Sequence, residues 1–500
     1  MKSWINHIKV DEHYTSHLYM QIYQQIKEII LSKELKNNER LPAVRKLATS
    51  LHVNTVTVVK AYDLLERDGL VIKRIGSGTY VNYDAEELIG AVPMDDEWEQ
   101  SQIRQLNQLS ERNITVTSDT INFASANPSP DLFPVEDFKK ALLEVLERDH
   151  GFAFGYQDSR GYGPLRNRVA ELAKKNGIHT TSEDIQIISG AQQGIDLVAK
   201  GLLQPGDNVL IERPSYSGAM AAFYSRGARL RDIGMEKDGI NLTSLEKAIK
   251  ETRPKLVYLM PNFQNPTGIS YTPEKMKKII ELSETYDFMV LEDDYVNELA
   301  FFGEPSHSIK SFDTHQRVIY IKSFSKMFMP GLRLGYIIVP KKIFNALVLA
   351  KQATDISTSG LLQRALERYF YHGMWERNIK QLTEEYYKRF CHMKSIMEKE
   401  LPYGVTCLLP RGGLNFWLKL PDGMEASELY SRALDKNIVF APGSLFYLNH
   451  PVRERLRISI AAVNEKQIET GMHEMIRLIE QFNSSGNIKP INRGQLEPIL

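Results

Sequence analysis

Six short apolar runs constrain most of this chain: IleGlnIleIleSerGly (185–190), AsnValLeuIleGlu (208–212), LysLeuValTyrLeuMet (255–260), PheMetValLeuGlu (288–292), ArgValIleTyrIle (317–321) and LeuGlyTyrIleIleVal (334–339). Helical periods separate them. A strand that is apolar on both faces has to be covered on both, so the pattern specifies an α/β fold with a mostly parallel sheet and helices on either side. Ligands of such sheets sit beyond the carboxyl ends of the strands. Those ends are where chemistry is to be sought.

Ser189-Gly190-Ala191-Gln192-Gln193-Gly194 follows the first run and opens a helix through Ile195, Leu197 and Val198. It is either a plain strand-to-helix turn or a phosphate cradle of free amides at a helix N-terminus. ProAsnPheGlnAsnProThrGly (261–268) follows the third run, as a turn or as a source of two amides for a ligand oxygen. Glu292-Asp293-Asp294-Tyr295 ends the fourth, where a carboxylate either caps a helix or accepts from a protonated ligand nitrogen. Ser323-Phe324-Ser325-Lys326 ends the fifth, and Gly331-Leu332-Arg333-Leu334-Gly335 opens the sixth. A lysine there is a solvated tip or, beside a carboxylate and a phosphate cradle, a Schiff-base lysine.

Charge separates the rest of the chain. Lys+Arg and Asp+Glu are both 62, yet residues 1–83 hold 12 basic and 8 acidic residues, and residues 84–120 hold 2 and 9. A basic head, an acidic linker (84–120, with a short helix expected near Trp98 to Leu109), a near-neutral body (121–482) and a polar, frayed tail (483–500) follow. With 42% hydrophobic and 25% charged residues, a disordered, collagen-like or polytopic membrane chain is excluded. Cys391 and Cys407 supply neither a disulfide framework nor metal-ligand spacing, so no metal site is expected. No signal peptide and no bilayer-spanning run is legible, so the expectation is a cytoplasmic protein without membrane partners.

In the head, residues 14–83, Leu18, Ile22, Ile26, Ile29 and Ile30 mark a first amphipathic helix. Pro42 fits the N-terminus of a second, Ala43 to Leu51, with Val44, Leu47, Ala48 and Leu51 inward. Asn54 caps a third, Thr55 to Asp68, expected to be buried through Val56, Val59, Leu64 and Leu65. LeuValIleLys (70–73) and ThrTyrValAsn (79–82) flank a glycine-bearing hairpin turn with Gly76 and Gly78. This is the pattern of a winged helix-turn-helix whose third helix presents Asn54, Thr55, Thr57 and Lys60 to a major groove, with Arg45 reaching phosphate or a base edge. Solvated polar residues on a small bundle give the same spacing.

The strings LysAsnAsnGluArgLeuProAlaValArgLysLeuAla, ValAsnThrValThrValValLysAlaTyrAspLeuLeuGluArgAspGlyLeuVal and GlySerGlyThrTyrVal resemble the DNA-binding domain of the GntR family of bacterial regulators. The resemblance implies operator contacts by Arg45, the start of the third helix and the wing glycines. Thr55 stands where many members carry a basic residue.

The body motifs, with a late LeuArgIleSer, occur in the order of a fold-type I, class-I aminotransferase domain dependent on pyridoxal phosphate, which the body resembles along nearly its whole length. That resemblance implies that Lys326 holds the cofactor as a Schiff base and that Asp293 pairs with its ring nitrogen. It places Asn265 and Tyr295 on the ring hydroxyl, Tyr216 on the ring face, and Ala191, Gln192, Ser323 and Arg333 on the phosphate. It gives Arg457 the effector or substrate carboxylate, and Tyr156 the phosphate of a partner subunit's cofactor, hence a homodimer. Residues 361–482 correspond to the smaller domain.

A GntR-type head on an aminotransferase-like body is the architecture of the MocR group of regulators. The resemblance implies a regulator of double-stranded DNA operators whose body senses an amino compound or the cofactor itself. The alternative is a working class-I aminotransferase with a secondary DNA-binding head. Members often carry His-Ile-Arg after the tryptophan of GlyMetTrpGluArgAsnIleLys; this chain has Asn378 and Lys380 there.

Overall fold

The computed structural model describes Ile8, Val10, Leu35 and residues 18–31, 38–51, 53–67, 70–74, 77–82, 119–303, 306–448, 452–485 and 495–498. Gly76 and the expected helix near Trp98, with almost all of the acidic segment, lie outside the described residues. The chain divides into two compact units, Met1–Asn107 and Gln108–Leu500.

The first unit contains helices α1 (Leu18–Leu31), α2 (Val44–Leu51) and α3 (Thr55–Arg67), then strands β1 (Val71–Arg74) and β2 (Gly78–Val81). Ile22, Ile26 and Ile30 of α1 pack with Leu47, Ala48 and Leu51 of α2 and with Val58, Ala61, Tyr62 and Leu65 of α3. The rotation of α3 corrects the sequence expectation: Val56 and Val59 face outward, 57% and 40% exposed. One stripe of a 3.6-residue period can face the core, and Tyr62 and Leu65 claim it. Full burial of a large apolar side chain contributes ~1.5–3 kcal/mol, and the observed rotation buries both Val58 and Leu65 completely, which outweighs the roughly one valine's worth of exposure at Val56 and Val59. The Tyr62 hydroxyl also donates to the Pro42 carbonyl at 2.9 Å, which locks the rotation. Pro42 itself stands ahead of α2; the Ala43 carbonyl accepts from the amides of Lys46 and Leu47. In the antiparallel wing Val71 lies opposite Val81 and Arg74 opposite Gly78. Gly78 has φ +126°, and a side chain there would meet the Arg40 guanidinium at 2.9 Å.

The second unit is built on β3 (Ile121–Asn122), β4 (Ile185–Ile188), β5 (Asn208–Arg213), β6 (Arg229–Glu236), β7 (Gly239–Ile240), β8 (Leu256–Leu259), β9 (Met289–Asp294), β10 (Val318–Ser323), β11 (Gly335–Ile338), β12 (Thr406–Leu409), β13 (Asn415–Lys419), β14 (Ile438–Val439), β15 (Ala441–Pro442), β16 (Arg455–Ser459) and β17 (Gln495–Pro498). The large sheet runs β4-β11-β10-β9-β8-β5-β6-β7. Its pairs are parallel except where β11 meets β10 and β4, and where β7 meets β6. Every residue of β4, β8, β9, β10 and β11 is buried, as only a sheet covered on both faces allows. β6 has no counterpart among the apolar runs: next to the sheet edge it is half exposed and carries Arg229, Arg231 and Asp232.

A smaller sheet, β15-β16-β13-β12-β17, lies toward the C-terminus with the 27-residue helix Met374–Glu400 and the helix Glu465–Ser485. β3 reaches back to pair in parallel with β14. The tail is not wholly frayed: the last helix runs to Ser485, and β17 pairs in parallel with β12. Among the described residues no helix is long and apolar enough to cross a membrane. None of them form a cluster of three metal-ligating side chains.

Candidate functional site

The three consecutive carboxylates at the end of β9 have three different partners, because a pleated strand points successive side chains to opposite faces. Glu292 accepts from the Ser308 hydroxyl (2.8 Å) and the amides of Ile309 (3.0 Å) and Lys310 (2.8 Å), capping the short helix Ile309–Phe312. Burial, with Asp294 nearby, pushes it up to about 8. Asp294, on the same face, accepts from Tyr320 at 2.7 Å and from the buried Lys322 at 3.2 Å. Asp293 points the other way. Its Oδ2 accepts from Tyr258 at 2.7 Å, while its buried Oδ1 has no partner. Burial pushes this carboxyl up to about 6, against the opposing pull of the Tyr258 hydrogen bond and Lys326. A cationic N–H donor is the group that would relieve both the orphaned oxygen and the buried charge.

Lys326 lies within electrostatic reach of Asp293. Burial, reinforced by Arg457 and Arg333, lowers its amine to about 8. The amine donates to Asn127 Oδ1 at 2.8 Å, a partner 199 positions away that the sequence motifs did not single out. Asn378 donates to the Met327 carbonyl at 3.1 Å and so steadies the loop after the lysine; Lys380 is exposed. Ser325 adds a buried hydroxyl without a partner.

Arg457, on β16, donates to Asn265 Oδ1 at 2.8 Å and to the Ala124 carbonyl, and its buried Nε has no partner. Burial lowers it to about 10. These hydrogen-bond partners are neutral, so a carboxylate is the missing complement. Asn265 is thus engaged with Arg457, and Tyr295 donates to the Phe263 carbonyl while accepting from Asn415 Nδ2 at 3.1 Å. Burial raises the Tyr295 and Tyr216 hydroxyls. Asp293, Arg333 and Arg457 all act electrostatically on Tyr216, which places its phenol among them.

The third component is an anion cradle. Gly190, at φ +86°, precedes the helix Ala191–Leu202, and a side chain on it would meet the Arg333 guanidinium at 2.6 Å. Arg333, itself left-handed at φ +52°, donates to the Ser189 carbonyl at 3.0 Å. Gln192 donates to the Gly218 carbonyl at 2.8 Å and accepts from Tyr216 at 3.1 Å, tying the cradle to the aromatic ring. Ser323 Oγ accepts from the Ser325 amide at 3.2 Å. A guanidinium beside the positive end of a helix suits a phosphate. Tyr156 stands apart from all of these, 87% exposed beside the exposed Phe152 and Phe154.

In the head, Arg45 and Lys46 are exposed on α2, as are Thr55 and Lys60 on α3, and Thr57 is half-buried. The Asn54 side-chain oxygen accepts from the Val56 amide at 2.9 Å and is occupied as the cap of α3. Gly78 opens β2, and Lys73 of the wing bonds Asp63 and lies 2.7 Å from Glu66.

A helix-turn-helix with a wing, and a separate fold-type I body whose strand ends gather an acid, an amine and an anion cradle, together define a DNA-binding regulator built on an aminotransferase domain. Comparison with known proteins agrees: the model for aminotransferase class I and II matches residues 118–474, and that for bacterial regulatory proteins of the gntR family matches residues 18–81. The chain belongs to the class I and II aminotransferase family and, with its GntR head, to the GntR-type transcriptional regulators of MocR architecture. It is 31% identical to the uncharacterized HTH-type transcriptional regulator YdfD of Bacillus subtilis, over 93% of this chain and 97% of that one. It is 26% identical to the probable rhizopine catabolism regulatory protein MocR of Rhizobium meliloti, over 96% and 97%. It is 32% identical to aromatic-amino-acid aminotransferase 1 of Thermococcus litoralis, over 80% of this chain and 95% of the enzyme. Among solved structures, LysN of Thermus thermophilus, an α-aminoadipate aminotransferase complexed with N-(5'-phosphopyridoxyl)-L-leucine, superposes with a TM-score of 0.71 at 31% identity, covering 81% of this chain and all of that one. The family implies dependence on pyridoxal phosphate. The residues present fit that group: the orphaned oxygen of Asp293, the lowered amine of Lys326 and the Gly190–Arg333 cradle match its ring nitrogen, aldehyde and phosphate.

Proposed function

We propose that the body takes up pyridoxal 5'-phosphate at Lys326 and uses it to sense an amino compound, whose occupancy changes how the head engages its operator. The observation that carries this reading is the buried, unpartnered oxygen of Asp293 within electrostatic reach of a lysine lowered to about 8. When bound, the cofactor supplies an aldehyde that captures amines and a ring that withdraws electrons. Lys326 offers an amine that is substantially neutral near pH 8 and therefore nucleophilic. Asp293 holds a proton on the ring nitrogen, Tyr216 covers the ring, and Ala191, Gln192, Ser323 and Arg333 hold the phosphate. Asn265 and Tyr295 lie toward the ring hydroxyl, and each has to exchange a present partner to reach it. Arg457 grips the carboxylate of the amino compound. Asn127 Oδ1 accepts a hydrogen bond from the Lys326 amine and holds it in place.

The exposed Phe152, Phe154 and Tyr156 support a homodimer in which Tyr156 serves the partner subunit's phosphate site. Two heads on a two-fold body then read paired half-sites, each binding event raising the effective concentration of the next. For a ligand to act as an effector it has to bind two states of the body unequally.

The test titrates the full-length protein with pyridoxal phosphate and then with a panel of amino acids and amines, following near-visible absorbance and operator affinity in parallel. The expected result is an absorbance band bleached by borohydride, and at least one amine that shifts both the band and the affinity. If amines shift the band and turn over at ~1–10³ per second while operator affinity stays constant, the working aminotransferase is the correct reading.

A further inference from the structure

We propose that α3 reads thymine: Val56 and Val59 contact the 5-methyl groups of two neighbouring T·A pairs in the operator's major groove. The outward stripe of α3 comprises Val56, Val59, Lys60 and Asp63, with Glu66 beside it, all exposed. Its C-terminal half is spoken for, because Lys73 of the wing bonds Asp63 and lies 2.7 Å from Glu66, so that one of the two negative charges that would repel phosphate is offset. The N-terminal half remains, the part of a recognition helix whose side chains contact base edges.

That half is poor in hydrogen-bonding readers: Thr55 is exposed, but its hydroxyl donates to the Asn54 side-chain oxygen at 3.4 Å. Guanine is read by Arg or Lys and adenine by Asn or Gln. Asn54 has its side-chain oxygen on the Val56 amide. Thr57 is half-buried. Lys60 lies with its amine 5.6 Å from the Tyr19 ring. Between them stand two valines, 57% and 40% exposed, on a helix whose core face is already filled.

The only apolar group that the major-groove edges of the four bases present is the thymine methyl. Set against G·C, either valine would desolvate polar base-edge groups without replacing their hydrogen bonds, at a cost. The spacing fits as well. Three helical residues rise about 4.5 Å, close to one step of about 3.4 Å along a DNA strand, so the two side chains address adjacent pairs. The flanking cations Arg45 and Lys46, exposed on α2, supply phosphate attraction, while the valines supply discrimination at the two T·A pairs.

The test uses the full-length protein and duplexes selected from a randomised pool. Adjacent T·A pairs should recur within each half-site. Replacing those thymines by deoxyuridine removes only the methyl, and should weaken binding about four-fold per position, from ~0.8 kcal/mol per buried carbon. Val56→Ala and Val59→Ala, both at exposed sites, should keep the wild-type melting temperature and bind the thymine duplex a few-fold more weakly. Each should also lose the sensitivity to deoxyuridine at one position, with no change in the salt slope, because no phosphate contact is lost. The proposal is overturned if the selected sites place G·C at those positions, if deoxyuridine leaves the affinity unchanged, or if both alanine variants remain as sensitive to deoxyuridine as the wild type.

Discussion

Head and body handle charge in opposite ways. Among the described residues, the head leaves its lysines, arginines and carboxylates exposed or half-buried and buries an apolar cluster around Ile26, Val58 and Leu65. The body buries Glu212, Glu292, Asp293, Asp294 and Lys322 near the ends of its large-sheet strands, and Arg457 within β16. Exposed charges are screened by solvent and act additively, which suits a surface that reads an extended polyanion. Buried charges are displaced from their ordinary values and depend on one another, which suits chemistry at a single small molecule. Recognition and reactivity are thus separated by solvent exposure, and the contrast can be attacked from either side.

The largest effect expected is from Lys326→Ala, which should abolish the borohydride-trapped adduct outright while leaving the head's operator binding without ligand intact. A retained adduct, seen by mass spectrometry, would place the reactive amine elsewhere. Next is Leu65→Ala, buried in the head core. It should cost the head ~2–5 kcal/mol and collapse operator binding, with cofactor uptake by the body unchanged; joint loss of both would show that the two units are not energetically separate. Asp293→Asn keeps the shape and removes the charge. Loss of a charge-assisted hydrogen bond worth ~1.5–3 kcal/mol should weaken cofactor affinity roughly ten- to hundred-fold, measured by absorbance titration.

The pH dependence follows from Lys326, whose amine is lowered to about 8, first by burial. The neutral amine is the reactive form, so adduct formation should accelerate about ten-fold per pH unit below 8 and level off above it. Acceleration continuing past pH 10 would mean an ordinary, solvated lysine. The smallest effect is from Lys73→Ala. Its pairs with Asp63 and Glu66 are half-exposed, so the head should lose no more than ~1 kcal/mol. Operator affinity should still fall, because two carboxylates are left uncompensated beside the phosphates.

The strands with continuous apolar runs were legible because burial on both faces confines charge to their carboxyl ends, where it finds partners, whereas β6, beside the edge, has a solvated margin on which Arg229 and Arg231 sit without penalty. In α3 the choice between two apolar stripes was open in one dimension: Val56 and Val59 compete with Val58, Ala61 and Leu65, and the Tyr62 bond to Pro42 decides between them. Asp293, Lys326 and Arg333 were readable because each lies in or beside a strand end: Asp293 within β9, Lys326 just after β10 and Arg333 just before β11. Asn127 was not, since its meeting with Lys326 depends on the fold closing across 199 positions. The division of labour among Glu292, Asp293 and Asp294 was likewise undetermined until the pleat assigned each a face.

The pairing of β17 with β12 bears on how the protein should be handled. A C-terminal affinity tag, or a truncation after Ser485, acts directly on a sheet margin. Removing Gln495–Pro498 would strip the backbone partner from Thr406–Leu409 and expose a row of unpaired amides and carbonyls, the template on which strands of separate molecules associate. Preparations shortened there are expected to self-associate during concentration, and light scattering before and after such trimming would reveal it.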